Sequence, residues 1–364
     1  MTTTTDLRED LVSLTCDLMK IPSIAEQPAE LQAAIDYAER YARAVPGLFV
    51  HRGEHGGKPY LIVTLRETRT PRLMLNAHLD VVPGRPEQFV PELRDGRIYG
   101  RASQDMKGSS AVLLRLLRDL AALDERPDVG FQFVSDEEIG GEMGTGFLAA
   151  EGWTCDFFLA AEPTDLAICF AHKGVIWMEV ELRGTPAHGS RPWDGVNALA
   201  ALRQGMVAME QRYPTPDEAA WVTTVVPTLI KGGEASNRLP EGVLMTLDVR
   251  HVPEETPEQI RDALAECFPG GEVRIVRNGT PLNTNPADPL VKRLEAAVSA
   301  VTGEPAQRFR EHFATDARFY SDMGIPAVCL GPVGAGLHSD EEWVDIASLE
   351  QLYSVLYRFS ETFQ

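Results

Sequence analysis

Nothing in the 364-residue chain approaches the roughly 20 uninterrupted apolar residues that a membrane-spanning helix requires, so no membrane partner is expected. Positive charge is also scarce. The 34 Lys and Arg stand against 54 Asp and Glu, a formal charge of −20. That balance opposes the cationic footprint that phosphate backbones need, and nucleic acid is not an expected partner. Cysteine is thin and scattered: Cys16, Cys155, Cys169, Cys267 and Cys329 are odd in number and form no Cys-x-x-Cys pair. This argues against a disulfide framework and a cysteine zinc site, and fits small buried thiols in a reducing compartment. The opening Met1-Thr-Thr-Thr-Thr-Asp6-Leu-Arg-Glu-Asp10 lacks a basic segment followed by an apolar one. No secretory signal is read there, and a cytoplasmic location is expected. No repeat with a period of roughly 20 to 50 residues is present, which sets repeat architectures aside.

What is present is ordinary for a globular protein. Hydrophobic residues make up 44% and charged residues 24%, and the length suits about two domains. Short apolar runs at Leu61–Leu65, Leu73–Asn76, Val129–Val134, Phe157–Ala161 and Ala327–Leu330 read as buried strands. Between them Val112, Leu113, Leu116, Leu117 and Leu120 recur at helical spacing and predict a helix over Ser110–Leu123. Strand and helix in alternation predict an α/β fold, an αβα sandwich around a mostly parallel sheet. A second style begins near Lys173. Strands with one solvated face are expected at Val175–Leu182, Ala220–Val226 and Gly242–Arg250, with helices at Asn197–Tyr213 and Pro257–Phe268. Two helices on an antiparallel sheet would form an α+β domain at 173–280, inserted in a first domain of 1–172 and 281–364. The polar, Pro-rich Asn278–Pro289 would lead back.

The residues suited to chemistry follow the strands. His78-Leu-Asp80 pairs an imidazole with a carboxylate two residues on; a metal-bound His commonly donates its other N–H to such a group, though a local turn would satisfy the pair equally. Asp105, just before the long helix, is suited either to capping that helix or to bridging two cations through its two oxygens. Ser135-Asp-Glu137-Glu138-Ile-Gly140 is either an acidic loop or a place where one Glu binds a cation and its neighbour serves as general base. Glu162 follows the strand at Phe157–Ala161, and His338 lies in a Gly-rich loop beyond Ala327–Leu330. Taken singly, each has a bland alternative. Several together directly after predicted strands are another matter, because open α/β sheets place their binding crevice there. Two imidazoles and three carboxylates, one shared, would also give two cations balanced sets.

The stretches Asn76-Ala-His78-Leu-Asp80-Val-Val-Pro83, Tyr99-Gly-Arg-Ala-Ser-Gln-Asp105-Met-Lys-Gly108, Asp136-Glu137-Glu138-Ile-Gly140, Ala161-Glu162-Pro163, Gly184-Thr-Pro-Ala-His188-Gly-Ser-Arg-Pro192 and Thr315-Asp316-Ala-Arg-Phe319 run across nearly the whole chain. In order and spacing they resemble the M20 metallopeptidase family, which includes acetylornithine deacetylase, succinyl-diaminopimelate desuccinylase, aminoacylase-1 and glutamate carboxypeptidases. The resemblance implies that His78 and Glu162 hold one metal, Glu138 and His338 the other, and Asp105 bridges them. It makes Glu137 the base and Asp80 the partner of His78, and it implies a cis peptide after Asp105. It further implies that 173–280 is a lid through which a homodimer forms. In that lid His188 would meet the oxyanion, and Asn237 and Arg250 would bind substrate, the Arg fork suiting a carboxylate. Departures are His172, where relatives often carry Glu, and a segment before Thr315-Asp316 that is less Gly-rich than usual.

The expected activity is hydrolysis of the amide bond of an N-acyl amino acid by a water activated between two divalent ions. Zinc suits the mixed ligands, with cobalt or manganese as options. The substrate would be a small carboxylate-bearing amide. Peptides cut by a carboxypeptidase or dipeptidase remain the alternative, and a non-catalytic metal-dependent binding protein is a minor one.

Overall fold

The computed structural model describes residues 4–364, so the first three residues of the stretch read for a secretory signal lie outside it. The chain divides into two compact units. One comprises the chain up to Ala171 with Leu282–Phe309 and Thr315–Gln364; the other comprises His172–Pro281 with Arg310–Ala314.

The first unit is built on a nine-stranded sheet. Its order is Phe49–His55, Lys58–Thr64, Val129–Val134, Leu73–His78, Phe157–Ala160, Ala327–Cys329, Ile168–His172 and Leu282–Asn283, with Arg308–Glu311 paired to Ile168–His172. Leu73–His78 runs parallel to both neighbours and Ala327–Cys329 parallel to Phe157–Ala160, while the hairpin at one end is antiparallel. Successive side chains point to opposite faces, and the cores divide accordingly. Leu61, Val63, Leu73, Leu75, Phe131 and Phe157 join one core with helices Thr4–Met19, Pro28–Arg43, Gly108–Ala121, Pro289–Thr302 and Ile346–Ser360. Ile62, Met74, Phe158 and Ala160 face the other way, onto Phe147–Ala150 and Ala317–Asp322. This is the expected αβα sandwich. The helix foreseen at Ser110–Leu123 starts two residues earlier, at Gly108, and ends at Ala121. Asp345 accepts the Ser348 N–H at 2.7 Å and so caps Ile346–Ser360. A small sheet of Gly334–Ala335, Trp343–Asp345, Arg97–Tyr99 and Glu92–Arg94 joins segments from distant parts of the chain.

The second unit carries a four-stranded antiparallel sheet, ordered Thr224–Gly232, Gly242–His251, Gly174–Arg183 and Glu272–Gly279. Ile176, Met178 and Val180 are buried with helices Ala198–Arg212 and Pro257–Cys267, while Trp177 and Glu179 lie on the opposite face. The strand expected at Ala220–Val226 instead begins at Thr224 and continues to Gly232. Pro227 is tolerated because this is an edge strand whose register shifts between Pro227 and Leu229. The strand Glu272–Gly279 was not foreseen, since its apolar Val273 and Ile275 alternate with arginine and glutamate in too short a run. Among the described residues no helix is long and apolar enough to cross a membrane.

Candidate metal centre

Three neighbouring strands of the first unit, Val129–Val134, Leu73–His78 and Phe157–Ala160, run parallel and finish at the same edge. His78 is the last residue of the middle strand, and Glu162 stands two residues beyond its own. Glu137 and Glu138 open the short turn after Val134. Asp105 comes from the turn that enters helix Gly108–Ala121, where the Asp105–Met106 peptide is cis.

These side chains converge. Asp105 Oδ1 lies 3.1 Å from His78 Nε2, and Glu162 Oε2 lies 4.0 Å from the same nitrogen. Asp105 Oδ2 lies 3.2 Å from His338 Nε2, with Glu138 Oε2 at 3.4 Å from it. One carboxylate thus turns an oxygen toward each of two imidazole–carboxylate pairs. Ligand atoms of His78, Asp105 and Glu138 also fall within 4.8 Å of one another. Glu138 Oε1 and Glu162 Oε1 are buried and meet no hydrogen-bond donor among the described residues. Buried carboxylate oxygens without donors are costly unless a cation faces them. The donor set, imidazole nitrogens and carboxylate oxygens, fits two divalent ions of the zinc type.

The electrostatics point the same way. Burial pushes the Glu162 carboxyl up to about 8, and the neighbouring Asp105, Asp316 and Glu138 add to the rise. Burial, followed by the Glu162 charge, lifts Glu137 well above the usual carboxylate range. Asp105 and Glu138 push His338 up to about 10. Burial alone would lower His78, but Asp105 and Asp80 beside it raise it well above its ordinary value. Glutamates pushed up by burial and by one another, and imidazoles held up by the acids beside them, describe a cluster crowded with acid and short of positive charge.

Asp80 lies beside His78, as the sequence led one to expect, and has a second contact that the sequence did not show. His78 Nδ1 donates to the Asp80 backbone carbonyl at 2.9 Å, and the Asp80 carboxylate is 3.5 Å from that nitrogen. The carboxylate also accepts the N–H groups of Glu137 at 3.2 Å and Glu138 at 2.9 Å. It fixes the tandem glutamates more directly than it fixes the histidine. Two residues that the sequence reading gave no role, Arg101 and Glu342, are buried behind Asp105. Glu342 closes the acidic run Asp340-Glu341-Glu342, and its one sequence signal is that an alternating strand, Trp343–Asp345, follows at once.

His188, Asn237 and Arg250 belong to the second unit. His188 bridges Arg238 and keeps its Nδ1 2.8 Å from Ser190 Oγ, with the side chain exposed. The Asn237 carbonyl accepts the Gly189 N–H at 2.6 Å, and Arg250 is paired with Asp248 at 2.7 and 3.1 Å.

A shared carboxylate between two imidazole–carboxylate pairs at strand ends, with a spare glutamate beside them, is a metallohydrolase arrangement. The chain belongs to peptidase family M20/M25/M40, whose model matches residues 74–362, and is a metallohydrolase of that family acting on C–N amide bonds. It is 27% identical over 395 residues to the succinyl-diaminopimelate desuccinylase of Variovorax paradoxus (strain S110), covering 99% of this chain and 98% of that one. It is 28% identical over 331 residues to the acetylornithine deacetylase of Proteus mirabilis (strain HI4320), covering 85% and 84%. In structure it is similar to a tripeptidase from Staphylococcus aureus, with a TM-score of 0.79, 21% identity and 98% of each chain covered. It is similar also to a dinuclear metal-binding M20 peptidase from Bacillus subtilis, with a TM-score of 0.72, 14% identity and 98% of each chain covered. At those identities the structural likeness speaks for the fold.

Proposed function

We propose that the protein hydrolyses the amide bond of N-acyl amino acids, with His78 and Glu162 holding one divalent ion, Glu138 and His338 the other, and Asp105 both. The observation that carries this reading is Asp105, with one oxygen 3.1 Å from His78 and the other 3.2 Å from His338. Zinc is the proposed metal, on the mixed imidazole and carboxylate donors. Bound ions would supply Lewis-acid polarisation of the substrate carbonyl and a water of lowered pKa.

Glu137 is the proposed base. Its backbone is held by Asp80, and its carboxyl, buried and beside Glu162, binds a proton more tightly than an ordinary glutamate. A carboxylate of raised proton affinity is suited to take a proton from the attacking water and return it to the departing nitrogen. By family resemblance His188 is assigned to the oxyanion, and Asn237 and Arg250 to substrate binding, with the guanidinium suited to the amino-acid carboxylate. The second unit is the proposed dimerisation unit: Leu229 and Ile230 of its edge strand are 56% and 51% exposed, an apolar edge of the kind that a partner covers. The cytoplasm is the proposed location.

The names of the desuccinylase and deacetylase relatives favour acylated amino acids over peptides. The test is a panel of N-succinyl and N-acetyl amino acids with di- and tripeptides, assayed with added Zn²⁺ and again after chelation. Faster turnover of an acylated amino acid, abolished by chelator, is expected. Turnover of peptides alone would replace the deacylase reading with the peptidase one.

A further inference from the structure

The turn that presents Asp105 is gripped from behind. Glu342 is 2% exposed, and its Oε1 accepts the N–H of Gln104 at 3.1 Å and of Asp105 at 3.2 Å. Its Oε2 accepts Nη1 of Arg101 at 2.9 Å, and Arg101 is itself 4% exposed. The other arm of that guanidinium donates to the carbonyls of His338 and Pro83, each at 3.4 Å. The Gly100 N–H donates to the Glu342 backbone carbonyl at 2.9 Å. A single buried ion pair therefore ties the Asp105 turn to the loop that carries His338. Both segments need holding: Ala102 has φ 65° and His338 has φ 59°, a left-handed conformation that side chains other than glycine adopt at a cost.

The grip is one-sided. His78 sits in a strand paired on both sides, and Glu162 follows directly on another, so sheet hydrogen bonds place them. His338 has no such strand, and its backbone is tied to Arg101. On the assignment of five ligands to two cations, we infer that Arg101 and Glu342 are positioning residues that set the affinity of the cation position formed by Asp105, Glu138 and His338. Residues that orient metal ligands from behind commonly matter tenfold or more to affinity.

The test is calorimetric titration of chelator-stripped protein with Zn²⁺, with thermal unfolding of the stripped protein alongside. Wild type should take up two ions per chain. In Glu342→Gln the neutral amide cannot serve the guanidinium and both N–H groups as the carboxylate does. The weaker of the two sites should lose roughly 10- to 100-fold in affinity, while the other changes by less than about threefold. Arg101→Lys keeps the charge without the fork, and should show the same selective loss with milder effect on folding. The double variant Arg101→Leu/Glu342→Leu removes the buried charge as a pair and should recover much of the unfolding temperature lost in Glu342→Gln. It should still bind the second ion weakly, because no acceptor faces the Asp105 N–H. Two ions bound as tightly as in wild type by Glu342→Gln and Arg101→Lys would overturn the inference, as would affinity that returns with stability in the double variant. Fewer than two ions in wild type would overturn the two-cation assignment instead.

Discussion

Replacing Asp80 separates hydrogen bonding from charge. The fully buried carboxylate accepts the N–H of Glu137 at 3.2 Å and of Glu138 at 2.9 Å. Burial raises the neighbouring Asp136 and Glu138 carboxyls and the Asp80 charge adds to the rise; Asp80→Asn and Asp80→Ala both remove that charge, so relief of repulsion is the same in each. They differ in acceptors. Asn keeps one oxygen for the shorter bond and turns an NH₂ toward the other N–H, whereas Ala leaves both amides without a partner. A hydrogen bond to a charged group contributes about 1.5–3 kcal/mol, and an orphaned buried donor costs about 1–3 kcal/mol. Asp80→Asn should therefore lose roughly 2–3 kcal/mol and Asp80→Ala roughly 4–5 kcal/mol. At about 2–4 °C per kcal/mol for a unit of this size, the Ala variant should unfold roughly 4–8 °C below the Asn variant. Differential scanning fluorimetry of chelator-stripped protein reads this without the added stabilisation of bound ions. Equal unfolding temperatures for the two variants would show that the carboxylate does not support the tandem glutamates through its hydrogen bonds.

Other outcomes follow from neighbouring geometry. A Cβ on Gly331 would lie 2.1 Å from the Glu162 carbonyl oxygen, and backbone cannot yield as a side chain would. Gly331→Ala should cost about 1–3 kcal/mol by overpacking and weaken Zn²⁺ binding on the His78 side, read by titration; unchanged affinity would mean that Glu162 is placed by something else. In the second unit, burial lowers the pKa of His251, whose buried Nε2 meets no hydrogen-bond partner among the described residues and whose Nδ1 donates to the Glu255 carbonyl at 2.9 Å. Its folded pKa lies below the ordinary 6.5, so below that pH the unfolded chain takes a proton that the folded chain refuses. Stability of this unit should fall as pH drops from about 6.5 through the folded pKa, and the fall should be smaller in His251→Gln. Identical pH dependence in urea denaturation of the two proteins would contradict this.

The central sheet was readable because its strands are buried on both faces: Val129–Val134 and Leu73–His78 are apolar apart from Gln132, Asn76 and His78, and the chemistry-bearing residues sit where those runs stop. Strands exposed on one side were harder, as Glu272–Gly279 and the displaced start of Thr224–Gly232 show. Glu342 carried little signal beyond the short strand that follows it, because in sequence it is one more acid in an acidic run. Only the fold brings it within 3.2 Å of the Asp105 N–H, 237 residues away. Asp80 is legible as a neighbour of His78, 3.5 Å from its Nδ1, but its second contact is not. Its spacing to His78 is visible in the sequence, whereas its contact with the Glu137 and Glu138 amides depends on two strands lying side by side.

The assignment of Glu137 as the base beside a two-cation centre is tested most directly by Glu137→Gln loaded with Zn²⁺. The amide keeps the size of the side chain and removes its ability to take a proton at neutral pH. Two bound ions, with turnover of the best N-acyl amino acid reduced by about 10²-fold or more, is the expected result. Two bound ions with wild-type turnover would contradict it.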